Sequence, residues 1–124
     1  MATVTGIETE LRSSAIKRGT KKVWTPLTTT NDVGDGLDFP PGSERTVQVL
    51  GTFGSGGHVK VEGSLDGGTT WAVLNDPSNT PLDFTAAGIK AIMEHTLLVR
   101  PHVTAGDGST SLTVIITAQR MRSP

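Results

Sequence analysis

Cysteine is absent from the 124 residues, which removes thiolate nucleophiles, Fe–S clusters and thiolate metal sites; chemistry must come from three histidines, twelve carboxylates and the hydroxyls. His58, His95 and His102 lack the close spacing, such as H-x3-H, by which ligands converge at about 2 Å on a cation. No G-x-S-x-G nucleophile elbow is present. Gly54-Ser55-Gly56-Gly57 runs into His58-Val59-Lys60-Val61, a strand pattern, whereas a phosphate-binding loop must open a helix whose N-terminus faces the anion. It reads as a turn. Asp66 and Asp107, candidates for general acid and base, each sit in an Asp-Gly turn that already accounts for them. Asp32, Asp35 and Asp38 offer oxygen ligands for calcium on a loop, but D-x-x-D-x-x-D is not the D-x-[DN]-x-[DN]-G pattern. The residues point away from an enzyme, and no catalytic residue, metal or cofactor is expected.

Binding is the chemistry left. Net charge is −1, unevenly spread. Residues 1–22 hold five bases, Arg12, Lys17, Arg18, Lys21 and Lys22, against two acids, and the far end adds Arg120 and Arg122. Residues 23–119 hold four bases against ten acids. Such asymmetry suggests that the ends reach for something acidic, either a protein surface or a phosphate backbone. Base reading is not expected, because only Trp24 accompanies the basic cluster and aromatics are 4% of the chain. We therefore expect a basic N-terminal arm over 1–22 that binds a partner through Arg12, Lys17, Arg18, Lys21, Lys22 and Trp24. A short basic tail is expected over 120–124. The first twenty residues lack the apolar run of a secretory signal, and no stretch approaches the roughly 20 apolar residues of a membrane span. A soluble protein made in a reducing cytosol, with no membrane partner, is the expectation.

The body that would carry these ends reads as all-β. Thr (19), Gly (15) and Pro (7) favour strands joined by turns. Residues 23–119 are expected to form a single β-sandwich, jelly-roll-like, with Lys22–Leu27, Arg45–Leu50, Val59–Gly63, Ala72–Leu74, Leu97–Val103 and Ser111–Ala118 as strands. Leu112, Val114, Ile116 and Ala118 alternate inward, leaving Ile115 on the outer face for the arm or a neighbour to cover. Residues 28–43 read as a long loop pinned by Leu37 and Phe39, and Pro101 marks an edge or a missing ladder bond. One short helix is expected over Thr85–Glu94, capped by Thr85, with Ile89, Ile92 and Met93 on one face.

Ser64 to Trp71, S-L-D-G-G-T-T-W, is the densest local signal. Asp66-Gly67-Gly68 supplies a side-chain hydrogen bond to the backbone and the φ > 0 positions that a tight reversal needs. The stretch resembles the Asp-box, S-x-D-x-G-x-T-W, of sialidase propellers and several unrelated β-proteins, where it is a structural turn remote from catalysis. The resemblance implies structural roles for Ser64, Asp66, Gly68 and Trp71. A propeller needs several copies at blade spacing, and this chain has one.

A wider resemblance covers residues 45–118, through R-T-V-Q-V-L-G-T-F-G-S-G-G-H-V-K-V-E-G-S-L-D-G-G-T-T-W, L-D-F-T-A-A-G-I-K-A-I and V-R-P-H-V-T-A-G-D-G-S-T-S-L-T-V. The chain resembles small structural proteins of tailed-phage virions, and is similar to β-sandwich head decoration (cement) proteins. That implies a non-enzymatic protein, made in the host cytoplasm, which sits on the capsid surface and clamps major capsid protein subunits as a dimer or trimer. A tail or neck connector and a host-glycan-binding module are the alternatives.

Overall fold

Alternating β-branched residues are laid down as strands in the computed structural model, which describes residues 3–13, 16–38 and 43–120. The side chains of 11–13, 16–18, 43 and 120 fall outside that description, as do Phe39 and Arg122. Twelve strands run among the described residues: β1 (Thr3–Val4), β2 (Ile7–Ser13), β3 (Ile16–Leu27), β4 (Val33–Gly34), β5 (Leu37–Asp38), β6 (Ser43–Thr52), β7 (His58–Ser64), β8 (Ala72–Val73), β9 (Asp83–Phe84), β10 (Gly88–Ile92), β11 (Leu98–Ala105) and β12 (Ser111–Arg120). They form two sheets, one ordered β10-β6-β12-β3-β2 and the other β1-β4-β11-β7-β8, with β5 beside β11 and β9 beside β7.

The sheets face each other across one core, as the sequence predicts for a β-sandwich. One side supplies Trp24, Leu27, Val47, Val49, Leu112, Val114, Ile116 and Ala118; the other supplies Val59, Val61, Val99, Val103 and Phe84, and Leu37 is buried with them. In β12 the inward set is Leu112, Val114, Ile116 and Ala118, so the alternation in sequence sets the face directly. Pro101 lies inside its sheet, opposite Val61. On its other side β4 pairs at His102 and β5 at Leu98 and Val99, so the missing N–H falls in the gap between two short neighbours.

Two expectations are corrected. Thr85–Glu94 holds no helix: Gly88–Ile92 pairs antiparallel with β6, Gly88 to Val49 through Ile92 to Arg45. Ile92 is buried while Ile89 and Met93 are 62% and 54% exposed, so the i, i+3, i+4 spacing never becomes one face. The tertiary offer of a free β6 edge overrides a weak local signal in a segment that contains Gly88. The basic arm, likewise, is not separate from the body. Residues 7–13 and 16–22 lie in β2 and β3, and β3 runs between β2 and β12 as an interior strand.

Candidate functional site

β2 and β3 pair from Ile7↔Val23 to Ser13↔Ile16, with a bulge between Leu11 and Arg12. β12 pairs with β3 only as far as Gln119↔Gly19. Beyond that pair the β2–β3 register continues as Arg12↔Lys17 and Ser13↔Ile16, at the end of the ladder. Arg120, the last residue of β12, adjoins the same corner. The topology therefore brings the backbone positions of Arg12, Lys17, Arg18 and Arg120 to one end of one sheet, although more than a hundred residues separate the first from the last. Gly19 permits this close pairing: a Cβ there would run into the Ala118 carbonyl oxygen, so only glycine lets the two strands approach this closely.

Lys22 and Trp24 turn inward instead. Lys22 is 5% exposed and Trp24 fully buried, so neither faces an outside partner. The Lys22 ammonium donates to the Gly36 carbonyl (3.2 Å), pairs with Asp35 (3.2 Å) and Glu8 (3.6 Å), and lies 5.6 Å from the centroid of the Trp24 ring. Trp24 Nε1 donates to both the carbonyl and Oδ1 of Asp35, and the Gly6 N–H donates to the same Oδ1. Burial works against the Asp35 carboxylate, but these donors and the Lys22 charge outweigh it and hold its pKa below the usual value. The group is a structural knot joining β2, β3 and the turn after β4. Lys21, one residue away, takes the outer face with Thr9 and Thr117 beside it.

The Ser64–Trp71 turn is also structural. Asp66 Oδ1 accepts from the N–H groups of Thr69 (3.1 Å) and Thr70 (2.9 Å) and from the Ser64 hydroxyl (2.8 Å). Ser64 Oγ accepts from Gly68 N–H, and Trp71 Nε1 closes the loop on the Gly68 carbonyl. Gly67 and Gly68 take φ of 81° and 95°. A hollow of about 310 Å³ beside this turn is lined by Asp66 with Gly63, Leu65, Thr70, Leu74 and Thr96, and Asp66 is its one ionisable group. Asp107 accepts from Ser109 and from the Ser55 N–H, tying the Gly54–Gly57 turn to the β11–β12 loop.

Hydrogen bonds hold both carboxyls at about 2, for Asp66 chiefly from the Thr70 N–H and for Asp107 chiefly from Ser109. A folded pKa below the unfolded one, about 3.9, gives stability that is complete above that value and lost as pH falls through the folded pKa. The denaturation midpoint should thus respond to these two groups only between about pH 4 and pH 2, and D66N/D107N should flatten that limb in acid unfolding followed by circular dichroism.

The histidines and the aspartate triplet do not converge. His58 Nδ1 meets Asp83 at 3.0 Å, and His102 stands between Glu62 (3.1 Å) and Asp32 (3.7 Å). Arg100 donates to Glu62 (2.9 Å) and stacks 4.1 Å from the centroid of the half-buried Trp71 ring. Asp32, Asp35 and Asp38 go to separate partners or to solvent, and no group of three potential metal ligands occurs among the described residues. This ion-paired outer face of β7 and β11 was not anticipated from sequence, although two strands alternating outward charges, Lys60/Glu62 and Arg100/His102, carried the signal. Comparison with family models, with curated proteins and with solved structures finds nothing that matches this chain.

Proposed function

We propose that the chain is a non-enzymatic structural protein of a phage virion, a head decoration protein that binds major capsid protein subunits on the outer surface and acts as an oligomer. The observation that carries this reading is the strand register that brings the backbone positions of Arg12, Lys17, Arg18 and Arg120 to one end of one sheet. Basic residues gathered at one end of a sheet suit an acidic patch on a neighbouring protein. Repetition of a modest interface over a shell at fixed spacing makes the sum strong. The resemblance of residues 45–118 to head decoration proteins is the ground for proposing the major capsid protein as partner. The ion pairs of Glu62, Arg100 and His102, and the Asp66 turn, favour a structural over a chemical use of those residues. A sugar-binding module fits less well, since Trp24 is buried and Trp71 lies against Arg100.

Removing residues 1–22 would strip the sheet of β2 and half of β3, so charge reversal is the cleaner test. R12E/K17E/R18E should fold with an unchanged denaturation midpoint and fail to co-sediment with purified DNA-free heads. Normal occupancy by that variant would overturn the reading.

A further inference from the structure

We infer that the outer face of the five-stranded sheet packs against the same face of a second copy of this chain. The inference names the surface behind the self-association proposed above and does not depend on the capsid as partner. Residues directly opposite on paired strands share a face, and the registers Ile7↔Val23, Val23↔Ile115, Ile115↔Gln48 and Gln48↔Ile89 align five side chains in one row across β2, β3, β12, β6 and β10. Ile7 is 70% exposed and Ile89 62%, so the ends of the row stand open to solvent. The flanking rows are threonines with Leu50 and Ala91, and Lys21 is the one charge among them. The other sheet is built oppositely: its outer face carries Lys60, Glu62, Arg100 and His102, with Glu62 paired to both Arg100 and His102.

A face of β-branched and other uncharged residues, with Lys21 and the outlying Glu44 as its charges, offers little for a strongly charged partner to match, and it is the composition that packs sheet on sheet. Size agrees. Five strands about 4.8 Å apart, averaging about eight residues at 3.3 Å per residue although β10 has five, cover about 600 Å² before side-chain relief, toward the ~800 Å² per partner of a stable interface. Self-pairing also avoids repulsion. Lys21 lies one row from Ile115 and off the central strand, so a two-fold axis through Ile115, either along or across the strands, brings it against a threonine or Leu50 row, not against the second Lys21. Such an axis closes the assembly at two copies.

Sedimentation velocity and native mass spectrometry of the full chain, from about 1 to about 100 µM, test this across the affinities expected of interfaces this size. Wild type should run at twice the 13.0 kDa chain mass. I115K should raise the dimer Kd at least about 100-fold by placing a charge at the interface centre, while keeping the wild-type circular dichroism spectrum. I89E, on an edge strand, gives the same readout should I115K fail to fold, and V73K on the other sheet should stay dimeric. A monomeric or trimeric wild type, or a dimer that survives I115K and I89E, would overturn the inference. None of these results bears on R12E/K17E/R18E and head binding, so the two proposals fail separately.

Discussion

Trp24→Ala should lower the stability of the sandwich by about 4 kcal/mol, within the range for truncating a large buried aromatic. The indole is fully buried, and Gly6 and Gly34 pack so closely on it that a Cβ at either would come within 2.8 Å of the ring. Its removal leaves a cavity and takes a donor from Asp35 at once. A urea titration should show the midpoint falling by about 2 M, taking a slope of about 2 kcal/mol per M. Because the ring lies inside, the fraction of variant that remains folded should still bind heads. A variant of wild-type stability that had lost binding would show Trp24 to be a partner contact.

Asp35→Ala is the second large effect, at about 3 kcal/mol. Lys22 would keep Glu8, at 3.6 Å and half-exposed, and the Gly36 carbonyl, but would lose its nearer carboxylate in a site where its side chain is 6% exposed. Asp35 is itself 36% exposed, so the ion pair accounts for about 1 to 2 kcal/mol, and the hydrogen bonds from Gly6 and Trp24 for the rest. Adding Lys22→Met should recover part of the loss, since the stranded cation disappears with it. A double variant no more stable than Asp35→Ala alone would mean that Lys22 reaches water freely. The lowered Asp35 pKa gives the knot a pH signature: its contribution is complete above the unfolded carboxyl value, about 3.9, and is lost on acidification below it.

The parts of this fold legible in the sequence are those in which one strand carries its own pattern. Leu112-Thr113-Val114-Ile115-Ile116 shows its buried and outer faces by alternation alone, and Ser64–Trp71 shows its turn because Asp66 bonds only to residues within four positions. The N-terminal strands were hidden because β2 is an edge: Glu8 and Glu10 take one face and Ile7 and Thr9 the other, so no face reads as apolar. Lys22 misled in the same way, a lysine in a basic run that looks solvated. Its partner Asp35 is thirteen residues on, but its position two residues before Trp24 places both on one face of a strand, and that spacing was readable. Ile89, Ile92 and Met93 matched a helix for want of any local sign that the β6 edge lay open beside them. The basic corner depends on β12 lying against β3, a pairing that no local window contains.

Amide hydrogen exchange of the protein free and bound to DNA-free heads tests the central claim most directly, that this sandwich works by a cationic corner gripping a repeated surface. Added protection should concentrate in residues 7–22 and at the end of β12, leaving the Glu62–Arg100–Trp71 face unchanged. Protection confined to that charged face, with the corner exchanging as in the free protein, would contradict it.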